Sequence, residues 1–169
     1  DYLKDSKNIA LISDAGTPSI SDPGFYLLSN LDEEVKIIPI PGASSLTCAL
    51  SVSRIPVNGF TFLGFLPKKE KDRKNKLLQA SAAEFPLCLF ESKHRLLNLL
   101  EDISSIFGEN TMVGLFREMT KIYETITHKS VSEHILDLKS KPPKGEFVVI
   151  VATNEHIEKE KPYISTIKS

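Results

Sequence analysis

The feature that most constrains the fold is a short grammar used twice near the start. Residues 8–13 (NIALIS) form a brief apolar run, part β-branched, that ends in small polar residues, the pattern of a buried strand. The loop 14–21 (DAGTPSIS) follows. Asp22 then offers an N-cap and Pro23 sits where a helix tolerates its missing N–H, so a helix over about 23–29 is predicted. Residues 35–40 (VKIIPI) read as a second strand, broken by Pro41 and Gly42, and Ser44 or Ser45 can cap a helix to about Ser53. Strand, loop and helix repeated in this order predict an α/β domain with parallel strands.

Pro56, Asn58 and Gly59 punctuate the chain next, and a domain boundary is expected there, with one domain over 1–58 and a second over 59–153. In the second, strands are predicted over 60–65, 86–91, 111–116, 122–127 and 146–152. Helices are predicted over about 72–83, from Ser92 to Gly108, and from Ser130 to about Leu138. The middle helix carries Leu96, Leu99, Leu100, Ile103 and Phe107 at helical spacing, and Gly108 ends it. Ser130 and Glu133 have the spacing of a capping box. The tail from Asn154 is charged and expected to fray.

Composition excludes several classes. With 41% hydrophobic residues and a net charge of −1, the chain does not resemble a disordered one. Its apolar runs, such as 147–152, are far shorter than the roughly 20 residues of a bilayer crossing. Cys48 and Cys88 stand in apolar stretches without a CxxC partner, so they read as buried thiols of a reducing compartment. No basic and apolar leader precedes the chain, so no secretion signal is expected. Its start at Asp1, without methionine, reads as a processed or truncated product.

Near-neutrality hides an uneven distribution. Residues 1–66 carry four basic and seven acidic side chains, whereas 67–76 (PKKEKDRKNK) carry six basic and two acidic. A solvated helix start fits this segment, and so does a phosphate-contacting patch in which Lys68, Lys69, Lys71, Arg73 and Lys74 meet nucleic acid.

The loops carry the chemistry. Residues 14–24 (DAGTPSISDPG) and 41–45 (PGASS) are rich in Gly, Pro, Ser and Thr and follow successive predicted strands. In α/β sheets ligands bind beyond the carboxyl ends of strands, where glycine lets backbone amides approach closely. Tight turns built for packing are the plainer alternative. GxGxxG, GxxxxGK[ST] and GxSxG are absent, and the four His lack metal-ligand spacing, so no metal site is expected. In the second half, Glu91, Arg117, Glu118, Lys121 and Glu124 stand at or just after predicted strand ends. They read either as a site with shifted pKa values or as a structural ion-pair network.

Six stretches then occur in a fixed order over about residues 2–152: ALISDAGTPSISDPG, IPIPGASSLTCALSVSRIP, FTFLGFLPKK, LFESKHRLL, REMTKIYE and KGEFVVIV. In this order they resemble the bacterial 16S ribosomal RNA 2′-O-methyltransferases of the tetrapyrrole methylase superfamily. The resemblance implies two α/β domains with S-adenosylmethionine held between them. It implies that Asp14, Ala15, Gly16, Thr17, Ile20 and Ser21 line one side of the cofactor, with Ser44, Ser45 and Leu46 on another. Phe90, Glu91 and the backbone of Glu146, Phe147 and Val148 are implied to approach the adenosine. Glu91, Glu118 and Lys121 become candidates to orient or deprotonate a ribose 2′-hydroxyl, and Arg117 to hold a phosphate or carboxylate. The implied partner is 16S rRNA in the small ribosomal subunit, in a cytoplasmic homodimer with no membrane contact.

The resemblance also implies a chain that lacks roughly the first third of such an enzyme, including a strand with a Thr-Pro-Ile-Gly-Asn motif. The first domain would then be incomplete and its strand edges exposed. Two other functions stay open at this point. One is methylation of a tetrapyrrole or diphthamide precursor by a relative in the same superfamily. The other is a catalytically inactive RNA-binding or dimerisation piece.

Overall fold

A computed structural model describes residues 8–153, in two compact units that divide between Ser45 and Leu46. The expected tail lies outside the described residues.

Among the described residues of the first unit the only helix wholly contained is α1, Phe25–Ser29, which starts after Gly24 without a side-chain cap. The expected cap at Asp22 and helical Pro23 are therefore not used. The strands expected over 8–13 and 35–40 are not formed either; both segments lack regular structure. A strand is held by a ladder to a neighbour and by burial of a face. These segments have neither among the described residues: Ile12, Ile38 and Ile40 are 85%, 63% and 80% exposed.

Helix α2, Ser45–Ser51, opens the second unit. It is followed by β1 Thr61–Phe65, α3 Glu70–Ala80, β2 Leu87–Ser92, α4 Leu96–Phe107, β3 Met112–Arg117, β4 Thr125–Ser130, α5 Val131–Ser140 and β5 Glu146–Val151. The sheet order is β1-β2-β5-β3-β4. Strands β1 and β2 are parallel and joined through α3, a crossover unit. Strand β5, the last among the described residues, inserts between β2 and β3 and runs antiparallel to both. The α/β class is thus realised.

Alternation along the strands builds two cores. Leu87, Leu89, Val113, Leu115, Phe147, Val149 and Val151 face α3, α4 and α5, where Leu96, Leu99, Leu100 and Ile103 fill the space. Cys88, Phe116, Val148, Ile150 and Ala152 face the other way, onto Leu46, Ala49 and Leu50 of α2. Burial pushes the Cys88 thiol up to about 12, so it packs as an apolar group.

Helix starts differ from expectation in detail. Ser92 belongs to β2, and α4 begins four residues beyond it with Arg95 as its N-cap. Helix α5 starts as expected: the Ser130 hydroxyl accepts from the Glu133 N–H, and the Glu133 carboxylate accepts from the Ser130 N–H at 2.9 Å. Gly108 terminates α4 with φ 98°, a conformation glycine adopts without strain.

His134, on the buried side of α5, donates from Nε2 to the Val113 carbonyl at 3.0 Å. Burial pushes its pKa down, against the upward pull of that hydrogen bond. The folded state therefore binds fewer protons than the unfolded one below its ordinary value of about 6.5, and stability falls as pH drops through that range. In urea titrations between about pH 7 and 5.5, the midpoint of the native protein should fall more steeply than that of His134→Gln, which keeps the donor. Equal slopes would contradict a neutral buried imidazole.

Candidate functional site

The carboxyl ends of β1, β2 and β3 lie at the same end of the sheet as the start of β5. Register makes this concrete: Phe65 pairs with Phe90, Phe90 with Val148, Val148 with Phe116, and Phe116 with Ile126. One step further along, Glu91 and Arg117 both pair with Phe147. Three stretches far apart in sequence, FESKHR, REMTK and KGEF, therefore meet at one sheet end, together with FLPKK. This is the end where open α/β sheets bind ligands.

The two faces of that end differ. On the α2 side, Phe90 makes edge contacts with Phe62 and Phe65, at ring separations of 5.1 and 5.6 Å. Phe90 is half-buried and Phe65 exposed, so the cluster offers aromatic surface. Glu91 points to the opposite side. It is 1% exposed, with Oε1 accepting the Ser92 N–H at 2.8 Å and Oε2 lying 3.3 Å from Arg95 Nη2. Burial raises its pKa, ahead of the lowering by the Ser92 amide and by Arg95. Glu91 and Phe90 therefore do not approach a common ligand with their side chains, which corrects the expectation for Glu91. Phe147 likewise packs into the α4 side, and its backbone lies in a strand paired on both edges. Leu46 is a core residue of α2.

The REMTK loop is tightly held. Glu118 and Thr120 have φ of 48° and 63°, left-handed values that cost non-glycine residues energy. Glu118 Oε1 accepts the Glu146 N–H at 2.8 Å, and the Glu118 N–H donates to the Glu146 carbonyl at 3.0 Å. Lys121 Nζ reaches Glu118 Oε1 at 3.4 Å and Glu146 Oε2 at 3.2 Å. The Thr120 N–H donates to Glu124, and Arg117 Nε donates to the Lys144 carbonyl. The Glu146 amide, then Lys121, hold the Glu118 carboxyl below the usual range, and Glu146 raises Lys121. Glu118, Lys121 and Glu146 thus form one ion-pair cluster next to Arg117, whereas the set read from the sequence held Glu91 and Glu124 and not the Glu146 side chain. The strand expected over 122–127 begins three residues later, and Ile122 and Tyr123 stand 95% and 69% exposed in the loop.

In the basic segment, Lys68, Lys69 and Lys71 are exposed. Arg73 is not; it is 5% exposed, and its guanidinium pairs with Asp102 of α4 and donates to the Lys68 carbonyl. It is a structural residue, contrary to expectation. Lys74 is half-buried between Glu70 and Asp102. Sequence reading missed Arg95, Asp102, Phe62 and Phe65. Asp102 was visible as a carboxylate flanking the Leu99–Ile103 stripe.

In the first unit the two glycine loops touch. Thr17 Oγ1 donates to the Ala43 carbonyl at 3.3 Å, and Ser13 Oγ donates to the Gly16 carbonyl at 3.0 Å. Gly16 has φ 82°, and a Cβ there would lie 3.4 Å from the Ala43 oxygen. Asp14, Ala15, Ile20 and Ser21 belong to the same loop, and Ser21 too is left-handed, with φ 61°. Ser44 follows Ala43, and Ser45 begins α2. Among the described residues no His, Cys, Asp and Glu cluster could hold a metal, and no helix is long and apolar enough to cross a membrane.

An α/β sheet with polar loops and aromatic surface gathered at its strand ends has the form in which α/β proteins hold ligands. The family described as Tetrapyrrole (Corrin/Porphyrin) Methylases matches residues 1–134, and the chain belongs to it. The chain is 46% identical over 155 residues to Ribosomal RNA small subunit methyltransferase I of Haemophilus influenzae, covering 89% of this chain and 54% of the relative. It is 41% identical over 163 residues to the protein of that name from Escherichia coli O157:H7, covering 95% and 57%. The chain thus spans about half the length of the curated relatives it matches. Among solved structures, the methyltransferase CobJ superposes with TM-score 0.61 at 17% identity, over 82% of this chain and 62% of that one. The cobalt precorrin-4 methyltransferase CbiF superposes with TM-score 0.54 at 16% identity, over 76% and 56%. These two likenesses speak for the fold.

Proposed function

We propose that this chain serves S-adenosylmethionine-dependent methylation of a cytidine ribose 2′-hydroxyl in the 16S RNA of the small ribosomal subunit. The observation that carries this reading is the 46% identity, over 89% of the chain, to a relative named as a ribosomal RNA small subunit methyltransferase.

The residues suit the cofactor. Gly16 and Gly42, with the hydroxyls of Ser13 and Thr17, give the first unit a loop pair of close backbone and small polar groups. Phe62, Phe65 and Phe90 give the second unit an aromatic face matched to an adenine. When bound, S-adenosylmethionine supplies an electrophilic methyl carbon. The residues of the chain then have mainly to place the attacking oxygen. Lys121, whose pKa is raised, stays a cation near neutral pH and suits orientation of an anionic or hydroxyl oxygen. Glu118, whose pKa is lowered, is a weak base and suits positioning better than deprotonation. Arg117 beside them is the proposed phosphate contact, and Lys68, Lys69 and Lys71 extend the cationic surface.

The test is transfer of labelled methyl groups from S-adenosylmethionine to small ribosomal subunits and, in parallel, to a porphyrinoid. Label in 2′-O-methylcytidine of the RNA is expected. Label in the porphyrinoid alone, or none in RNA, would overturn the reading.

A further inference from the structure

Three consecutive carbonyls at the entrance to the basic segment are held by two guanidinium groups, that of Arg73 buried and that of Arg95 half-buried. Arg95 Nη2 donates to the Leu66 carbonyl at 2.8 Å and to the Pro67 carbonyl at 3.1 Å. Arg73 Nη1 donates to the Lys68 carbonyl at 3.2 Å. Each guanidinium has its own carboxylate behind it: Glu91 for Arg95 and Asp102 for Arg73. Glu91 and Asp102 are 1% and 5% exposed. Three carbonyls turned toward the protein leave the Lys68 and Lys69 side chains on the outside, where both are exposed.

We propose that Glu91 and Arg95, with Arg73 and Asp102 beside them, are positioning residues for RNA, holding the 66–68 backbone so that Lys68 and Lys69 reach phosphates from a fixed stretch of chain. The inference rests on the RNA reading above. It accounts for two groups that a direct role does not. Glu91 is too buried to meet a substrate, and Arg73 is spent on Asp102 and a carbonyl. A backbone already held presents its two ammonium groups to phosphates at smaller entropic cost than a mobile one, which loses conformational freedom on binding. On Arg95 all three contacts fall on Nη2, which donates to the two carbonyls and lies 3.3 Å from Glu91 Oε2.

The experiment compares the native chain with Arg95→Met, Arg95→Lys and the Lys68→Ala, Lys69→Ala pair. Two quantities are read: the rate of trypsin cleavage after Lys68 and Lys69, and the salt dependence of binding to a fluorescein-labelled RNA hairpin. In Arg95→Met, nicking at Lys68 and Lys69 should rise about tenfold or more through local opening. The slope of log affinity against log salt should fall by about one to two, as in the lysine pair. Arg95→Lys keeps a cation beside Glu91 and is the variant to read if Arg95→Met does not fold; it should lie between the two. A reduced slope in the lysine pair with nicking or slope unchanged in both Arg95 variants would overturn the inference alone. An unchanged slope in the lysine pair would likewise overturn the inference, whereas no binding of the native chain to RNA would overturn the RNA reading beneath it.

Discussion

Asp102→Ala is expected to cost about 3–5 kcal/mol of folding stability, because it leaves the Arg73 guanidinium buried without its carboxylate. For a chain of this size that is a drop in melting temperature of roughly 6–20 °C by calorimetry. Replacing both partners, as in Arg73→Met with Asp102→Leu, should recover most of the loss, since well-packed apolar groups can substitute for a buried pair. A single-variant loss below about 1 kcal/mol would place the pair in the class of surface ion pairs. The Lys68 carbonyl loses its donor in the double variant, so its RNA salt slope should stay low even where stability returns. Stability and positioning are thereby separated.

Gly145→Ala is the second large effect, expected at about 2–4 kcal/mol. Gly145 has φ 89°, where an L side chain costs about 1–2 kcal/mol. Its added Cβ would also lie 2.6 Å from Cγ and Oε1 of Glu118. Glu118 cannot swing away without releasing the Glu146 N–H, and a hydrogen bond to a charged group contributes about 1.5–3 kcal/mol. The whole REMTK loop should loosen, because Lys121 is anchored on the same two carboxylates. Urea denaturation gives the cost, and amide exchange at Glu146 gives the place. A loss below about 0.5 kcal/mol with unchanged exchange would mean that the loop adapts at no cost.

Much of the second unit was legible from local pattern. Leu96, Leu99, Leu100 and Ile103 declared the buried face of α4, and the capping box fixed the start of α5. Position β4 was misread because Ile122 and Tyr123 look like strand residues. The ladder instead begins at Thr125 opposite Arg117, after a loop that Glu118 and Lys121 tie down. Strands over 8–13 and 35–40 were predicted from short apolar, β-branched runs bounded by loop residues, and such a pattern does not by itself make a ladder. The faces of Phe90 and Glu91 were readable in principle, since neighbours on a strand point opposite ways. What no local pattern carries is the placing of β5 between β2 and β3. That placing is what brings Glu146 to Glu118 and gathers three distant motifs at one sheet end.

That central seat for the final strand also orders events during synthesis. Until residues 146–151 leave the ribosome, β2 and β3 have no shared neighbour, and the sheet exists only as a β1-β2 half and a β3-β4 half. The nascent chain must keep Leu89 and Leu115 apart across a gap that only β5 fills. Pairings of such long sequence separation form slowly and leave strand edges open while they wait. Assembly of the sheet thus waits for residues 146–151, and it is the same step that creates the Glu118–Glu146 contact. A molecule stalled before it would carry its cationic lysines yet lack the cluster beside them.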